Sequence, residues 1–116
     1  MSKPLVFLIG PINTGKDISS ANINEAFTYG NKIRQIGCLV YIPHFHHFWN
    51  ITSPDSEENW ISYGHEIISA CNAVFLMSGW YNSNGSKKDV NFAREIGKPV
   101  FDRFEDLERW AKQFTA

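Results

Sequence analysis

The second half of the chain contains one continuous strand–turn–helix stretch. Residues 73–77 form a short apolar run, of the kind that is buried on both faces of a parallel sheet. The turn at residues 79–86 combines small, polar and aromatic residues, and an amphipathic run at residues 90–96 follows it. Free backbone N–H groups at the start of such a helix can hold an anion. The stretch therefore predicts a buried strand that leads into a ligand-binding loop.

The same alternation of elements extends along the chain. Three further apolar runs predict strands at residues 4–9, 39–42 and 100–104. Helical spacing predicts helices that begin near Asn22, Ser56 and Ser86, and Leu107, Trp110, Ala111 and Phe114 mark a final amphipathic helix. Two segments are expected to be irregular, residues 13–20 and 45–56. Because strands alternate with helices, the sheet is expected to be parallel with right-handed crossovers. The sequence therefore predicts an α/β, Rossmann- or flavodoxin-like three-layer domain, with a four-stranded parallel sheet of order 2-1-3-4 and helices on both faces.

Composition favours one folded domain, spanning residues 1–116, and narrows the kinds of partner. Apolar residues make up 43% of the chain and aromatic residues 15%, enough for a single core. The formal net charge is −1, so no basic excess favours nucleic acid as a partner. No run approaches the roughly 18 apolar residues of a membrane span. Cys38 and Cys71 are expected to be buried and reduced, which fits a cytoplasmic protein without a membrane partner.

The predicted strand order also places the ligand. In the order 2-1-3-4 the chain reverses direction between the first and third strands, and ligands of open α/β sheets bind outside the carboxyl ends of the strands at this switch point. The loops that follow these two strands are residues 10–16 and 79–86. Two such loops in a small domain predict a ligand of nucleotide size.

Residues 10–16 (GPINTGK) nearly match the phosphate-binding P-loop, which also follows a strand. Asp17 stands where that motif has a Ser or Thr to hold magnesium, and the helix is not expected to begin at once. A carboxylate at this point would repel a triphosphate. The sequence therefore favours a ligand-facing loop over an ATPase or kinase site, and no cofactor is expected.

The histidines raise the alternative of a metal site. His44, His46 and His47 follow the second predicted strand, and His65 lies on the next helix. Adjacent side chains usually point apart and no cysteine joins them, so zinc binding is disfavoured and no metal is expected. His44 is instead expected to line the mouth of the ligand site.

Asp89 has two interpretations. Ser86-x-x-Asp89 fits a capping box, in which the carboxylate reaches back to the N-terminal amides of the helix, and spacing alone favours this interpretation. The alternative makes Asp89 a nucleophile aimed into the pocket. Trp80 and Tyr81 also have two interpretations, since loop aromatics either stack on a base or serve as lids and subunit contacts.

Several motifs occur together in an order that is found in one enzyme family. The first strand is followed by Gly-Pro-Ile-Asn-Thr-Gly, the second by Pro-His, and a helix led by Trp ends in Cys-Asn. The third strand is followed by Gly-Trp-x-x-Ser-x-Gly-Ser-x-x-Asp-x-x-x-Ala-x-x-x-Gly. The residues concerned are Gly10, Pro11, Gly15, Asn24, Ala26, Phe27, Pro43, His44, Trp60, Cys71, Asn72, Gly79, Trp80, Ser83, Gly85, Ser86, Asp89, Ala93 and Gly97. On these motifs the chain resembles, over nearly its whole length, the nucleoside 2-deoxyribosyltransferase-like family, including its small bacterial and phage members.

This resemblance implies cleavage or transfer at the N-glycosidic bond of a nucleoside or nucleotide. In the family a conserved Glu attacks the anomeric carbon and displaces the base, in the manner of a retaining glycosidase. Carried over by position, Asp89 is the expected nucleophile, with Glu66 as a second catalytic residue. The resemblance also implies a homodimer or higher homo-oligomer. The expected substrate-binding residues are Gly10, Pro11, Asn13, Thr14, Gly15, His44, Trp80, Ser83, Gly85 and Ser86.

The chain departs from the family at three positions. Asp89 replaces the Glu nucleophile and is shorter by one methylene, and a misplacement near 1 Å costs about a hundredfold in rate. Gly64 and Asn72 stand where the family has acids. His65 or Glu66 offers a substitute, from different faces of one helix. The alternative function is therefore a catalytically decayed relative that binds a nucleotide or ribosyl ligand without turnover.

Overall fold

The computed structural model describes residues 3–14, 17–18 and 20–114, with the backbone alone at positions 13, 14, 17 and 18. Its main sheet has four parallel strands: β1 (Leu5–Ile9), β2 (Leu39–Tyr41), β3 (Ala73–Leu76) and β4 (Val100–Phe101). β1 pairs with both β2 and β3, and β3 also pairs with β4, so the order across the sheet is β2-β1-β3-β4. This order confirms the predicted parallel 2-1-3-4 sheet of an α/β, Rossmann-like fold.

Helices surround the sheet. In the described part of the chain they are α1 (Ser20–Gln35), α2 (His46–Thr52), α3 (Glu57–Ala70), α4 (Asn84–Glu95) and α5 (Phe104–Gln113). Single 3₁₀ turns, Pro43–Phe45 and Trp80–Asn82, come before α2 and α4. A short hairpin pairs Asn13–Thr14 with Asp17–Ile18.

The alternation of side chains along β1 divides the core between the two faces of the sheet. One face carries a buried cluster from β1, α1 and α5 that includes Val6, Leu8, Ala26, Ile33 and Leu107. The other face carries a buried cluster from β1, α3 and α4 that includes Phe7, Ile9, Ile68, Val90 and Ala93. Burying one large apolar side chain contributes about 1.5–3 kcal/mol, so both clusters stabilise the sheet strongly. The three predicted layers are therefore helices, sheet and helices.

Most helix boundaries follow local signals. α3 begins after Ser56, as predicted, because the Ser56 hydroxyl accepts a hydrogen bond from the Asn59 N–H at 3.1 Å. Gly37 and Gly97 follow the ends of α1 and α4 with φ of 92° and 77°, a left-handed conformation that favours glycine. α1 and α4 each begin two residues earlier than predicted.

Two segments that were expected to be irregular contain regular structure. Residues 45–56 contain α2, in which His46 is only 6% exposed and stacks on Trp60 of α3 with ring centroids 5.1 Å apart. Tertiary packing, rather than hydrophobic periodicity, stabilises a helix this short. Residues 13–20 contain the hairpin and the start of α1. The strand predicted at residues 100–104 is shorter than expected, because α5 already begins at Phe104.

The described part of the chain shows neither a membrane-spanning helix nor a disulfide. No helix in it combines the length and the hydropathy that are needed to cross a membrane. Cys38 and Cys71 are free and buried. Burial raises the pKa of both thiols, to about 11 for Cys71, so both stay protonated at neutral pH.

Candidate functional site

A cleft of about 560 Å³ opens at the carboxyl ends of β1 and β3, where the strand order predicted a ligand. Four segments wall it: the loop after β1, the 3₁₀ turn with α2, the start of α3, and the loop that leads into α4. A second depression of about 570 Å³ lies beside β4, with Arg94, Lys98 and Asp102 in its lining. It contains none of the predicted ligand-binding residues, so the cleft is the candidate site.

Gly10 lets the chain pass close to the end of β3. It is buried, and a Cβ built on it would lie 2.8 Å from Cβ and 2.9 Å from Cγ of Met77. Such a close approach requires glycine. Gly10 and Ile12 line the cleft, whereas Pro11 between them is half-buried and is not part of the lining.

His44 joins two walls of the cleft from behind. Its side chain is fully buried, and its Nε2–H donates a hydrogen bond to the Pro11 carbonyl at 3.1 Å. Burial lowers the pKa of His44 to about 4, so the ring is neutral at pH 7 with its proton on Nε2. The expectation that His44 lines the mouth of the site is therefore wrong, because this residue instead fixes the loop after β1 against the turn after β2.

The wall that α2 and α3 form is aromatic. The His46 ring stacks on Trp60 at an interplanar angle of 27°, and its Nε2 lies 2.8 Å from the Tyr41 hydroxyl. The Trp60 indole N–H donates to Asn50 Oδ1 at 2.8 Å. These contacts hold α2 against the start of α3, and they present His46, Asn50 and Trp60 to the cleft.

The fourth wall is the N-terminus of α4. The Ser83 hydroxyl accepts a hydrogen bond from the Ser86 N–H at 3.2 Å, and the Ser83 carbonyl accepts one from the Lys87 N–H at 3.0 Å. The amides of Asn84 and Gly85 have no acceptor within the helix because they open it. Ser83, Gly85 and Ser86 all line the cleft, so this wall favours a ligand with oxygen acceptors.

Asp89 is not a capping residue. Ser83 caps α4, which places Asp89 in the second turn of the helix, and in the described part of the chain its carboxyl group bonds no backbone amide. The interpretation of Ser86-x-x-Asp89 as a capping box is therefore wrong, because the helix begins earlier. Asp89 lines the cleft, and its side chain is 17% exposed.

His65 of α3 contacts Asp89 of α4. Its Nε2 lies 3.1 Å from Asp89 Oδ1, which is the separation of an ion pair, but the N–H does not point along the direction of a hydrogen bond. Both atoms are buried, and neither has a hydrogen-bond partner within residues 3–14, 17–18 and 20–114. The His65 ring lies flat on Phe92, with centroids 4.2 Å apart and an interplanar angle of 5°. This stacking holds the imidazole beside the carboxyl group.

Burial sets the proton affinity of both groups. It raises the pKa of Asp89 to about 7 and lowers the pKa of His65. For His65, the charge of Glu95 acts in the opposite direction and that of Lys88 adds to the lowering. A carboxyl group with a pKa near neutrality is typical of sites that exchange protons or form covalent intermediates.

The charges of the cleft are mainly negative. Asp55, Glu57 and Asp89 bring three carboxyl groups to it, and its described lining contains no Lys or Arg. Hydrogen bonds from the Asn59 side chain and the Ser56 N–H, at 2.6 and 2.7 Å, lower the pKa of Asp55 and keep it ionised. No group of three or more His, Cys, Asp or Glu side chains in the described residues is placed to hold a metal ion. A strongly anionic ligand would therefore depend on the amides of α4.

Several residues predicted for the site are not brought to the cleft. Glu66 is exposed on α3 and does not line it. Trp80 is half-buried against the core cluster beneath α4 and is also absent from the lining. The backbone of Asn13 and Thr14 forms one strand of the hairpin, and Gly15 lies outside the described residues.

The sequence did not identify His65 as the contact of Asp89. Gly64 is buried and faces the sheet, since a Cβ there would lie 3.6 Å from Cζ of Phe7. His65 follows one residue later, about 100° around the helix, which turns it from the sheet toward α4. Helical spacing therefore predicts the direction in which His65 points. It does not predict the contact with Asp89, because Asp89 is distant in the chain.

The other two departures from the family's acids have structural contacts of their own. Gly64 packs beneath α3 on Phe7. Asn72 accepts a hydrogen bond from the Leu5 N–H on its Oδ1 at 2.8 Å, at the end of β1 that is far from the cleft. Neither residue lines the cleft.

Comparison with known proteins assigns the chain to a family. A family model described as "Domain of unknown function (DUF4406)" matches residues 4–102. The match includes all four strands of the sheet and α4 with Asp89. No curated protein matches the chain. The chain belongs to the DUF4406 family.

Proposed function

We propose that this member of the DUF4406 family cleaves or transfers the N-glycosidic bond of a nucleoside or nucleotide, with Asp89 as the nucleophile. One observation carries the proposal: Asp89 Oδ1 is buried without a hydrogen-bond partner in the described residues, yet Asp89 lines a cleft at the switch point of the sheet. A buried acid without a hydrogen bond destabilises a fold, and such groups are typically kept for chemistry. The motifs that resemble nucleoside 2-deoxyribosyltransferases support the same nucleophile.

The volume and lining of the cleft support a ligand of nucleoside size. Its volume of about 560 Å³ lies within the range of about 300–1,000 Å³ that is usual for small-molecule sites. Trp60, which is half-buried and lines the cleft, offers an aromatic ring against which a base can stack. The amides of Asn84 and Gly85, with the Ser86 hydroxyl, are available to oxygen acceptors of the sugar or of a 5′ phosphate.

In the proposed reaction a carboxylate oxygen of Asp89 forms a bond to the anomeric carbon while the N-glycosidic bond breaks. The electron pair of the broken bond leaves with the base nitrogen, which takes up a proton from water. A glycosyl ester then remains on Asp89. A water molecule then attacks the anomeric carbon, and the ester bond breaks to restore the carboxylate. The proton that this water loses returns to the solvent and balances the one that the base took up. A second base in place of this water gives transfer.

Binding without turnover is the second candidate, and one observation favours it. Because burial raises the pKa of Asp89 to about 7, much of the protein carries a neutral carboxyl group at neutral pH, and a neutral carboxyl group is a poor nucleophile. Asp is also shorter than Glu at this position. In this case the cleft holds a nucleotide or ribosyl ligand and releases it unchanged.

An assay for free base separates the two candidates. The protein is incubated with a panel of nucleosides and their 5′-monophosphates, and chromatography measures the base that is released. If the proposal holds, the protein releases base from at least one compound and Asp89→Ala abolishes release. Asp102→Ala, which removes an exposed carboxylate beside β4, keeps the wild-type rate. Release that persists in Asp89→Ala would remove this residue from the mechanism. Binding of a panel member without any release would favour the second candidate, and a gain of rate in Asp89→Glu would show that the shorter side chain limits the chemistry.

Assembly and location are further parts of the proposal. We propose a homodimer that forms through α2 and the 3₁₀ turn before it, because Phe45, Phe48, Trp49 and Ile51 are between 49% and 64% exposed. Sedimentation should show a dimer for the wild type and a monomer for Phe48→Lys, and the same mass for both would contradict this interface. The free cysteines support a reducing, cytoplasmic location.

A further inference from the structure

We infer that His65 is the positioning residue of Asp89: its Nε2 takes up the proton of the carboxyl group and holds the resulting carboxylate at the edge of the cleft. The inference rests on the proposed function, in which this carboxylate is the nucleophile. It stands on the 3.1 Å between Nε2 and Oδ1, two buried atoms that have no hydrogen-bond partner in the part of the chain that the structure describes.

The packing around His65 supports this role. Phe92 lies three residues after Asp89 on α4, so one turn of the helix carries both the carboxyl group and the ring that supports the imidazole. The distance already fits a hydrogen bond, and the ring has only to reorient for Nε2 and Oδ1 to align. Hydrogen bonds at catalytic sites are often poorly aligned without ligand and tighten when the ligand is bound.

The proton affinities allow the transfer. A free carboxyl group has a lower pKa than an imidazole, but burial reverses this order here, with Asp89 at about 7 and His65 below its ordinary 6.5. Burial alone would therefore leave the proton on Asp89 and both groups neutral. An opposite charge within about 4–6 Å lowers the pKa of a carboxyl group by about 1–3 pH units. This attraction returns the proton to His65 and leaves a carboxylate beside an imidazolium.

Other ionisable groups near the pair lie on α4, on the 3₁₀ turn before it, and on the α2 and α3 side of the cleft. On α4, Lys88 and Glu95 act on His65 in opposite directions. β1 and β4, which contact α4, carry only apolar residues, and the 3₁₀ turn before α4 contributes the exposed Tyr81. The groups that share the cleft with Asp89 are His46, His47, Asp55 and Glu57.

NMR titration of the ligand-free protein, with ¹³C-labelled Asp and ¹⁵N-labelled His, tests this inference without any substrate. In the wild type we expect an ionised Asp89 and a cationic His65 over the same range of pH near neutrality. His65→Phe keeps a ring on Phe92 and should raise the pKa of Asp89 by about 1–3 pH units. Asp89→Asn should lower the pKa of His65 by a similar amount, because the coupling is reciprocal. Glu58→Gln, at an exposed site on α3, should leave both titrations unchanged.

An unchanged pKa of Asp89 in His65→Phe would overturn the inference, as would a His65 ring that stays neutral wherever Asp89 is ionised. If His65→Phe does not fold, the titration of His65 in Asp89→Asn gives the same answer from the other side. Where release of base is detected, His65→Phe should lower kcat far more than it changes KM and should move the acidic limb of the pH–rate profile to higher pH. A protein that releases no base would refute the proposed function and leave the NMR result intact.

Discussion

Replacing Asp89 by Asn should stabilise the folded protein at alkaline pH, although it removes the proposed nucleophile. Burial raises the pKa of this carboxyl group from 3.8 to about 7. Above pH 7 the folded protein therefore holds a charge in a place that disfavours it, whereas the unfolded chain holds the same charge in water. An amide of the same size has no such penalty.

The size of the effect follows from the two pKa values. Each pH unit between them corresponds to about 1.36 kcal/mol, so a change from 3.8 to about 7 destabilises the fully ionised folded state by about 4 kcal/mol. Between these values the folded protein binds more protons than the unfolded chain, so the wild type loses stability as the pH rises. The free energy of unfolding of Asp89→Asn should exceed that of the wild type by about 1 kcal/mol at pH 4.5 and by about 4 kcal/mol at pH 8.5.

Urea unfolding at the two pH values, followed by tryptophan fluorescence and circular dichroism, measures these differences. The control is Asp102→Asn, which removes an exposed carboxylate and should change the free energy of unfolding by less than about 0.5 kcal/mol at either pH. If Asp89→Asn is less stable than the wild type at pH 8.5, or if its advantage does not grow with pH, the reasoning is refuted. Such a result would mean that other groups stabilise the Asp89 carboxylate in the folded state.

Three further substitutions, each measured by urea unfolding, test the packing around the cleft. Gly10→Ala should lower the free energy of unfolding by about 1–3 kcal/mol, because the new Cβ would lie 2.8 Å from that of Met77; wild-type stability would contradict this. Gly64→Ala should raise it by about 0.5–1 kcal/mol, since alanine favours a helix interior and the nearest side-chain atom is 3.6 Å away; a loss would show that α3 has no room there. Ser83→Ala should cost about 1 kcal/mol by removing the cap of α4, while Ser83→Asp, which can also cap a helix, should retain most of the stability.

The strand order was predictable from local signals. Apolar runs alternate with helical segments, and right-handed crossovers leave few ways to arrange four parallel strands. Gly37 and Gly97 end their helices by a preference that belongs to single residues. The cleft therefore lies at the carboxyl ends of β1 and β3, as the topology predicts. Residues 83–89 reach it because they follow β3 and form the start of α4.

The remaining parts of the site depend on contacts between distant segments. His44 follows β2 as predicted, but its burial depends on the carbonyl of Pro11, 33 residues earlier. His65 meets Asp89 only because α3 packs on α4. Local spacing fitted a cap at Ser86, whereas Ser83 caps α4 because the 3₁₀ turn ends just before it.

The hydrogen bond from His44 to the Pro11 carbonyl bears on how a ligand enters. Because the pKa of His44 is about 4, the ring stays neutral in ordinary buffers, and neither salt nor moderate acid weakens the bond. The loop after β1 and the turn after β2 are thus joined before any ligand arrives. If the cleft binds a ligand as proposed, Pro11 and the turn after β2 do not have to be ordered on association, and little conformational entropy should be lost there.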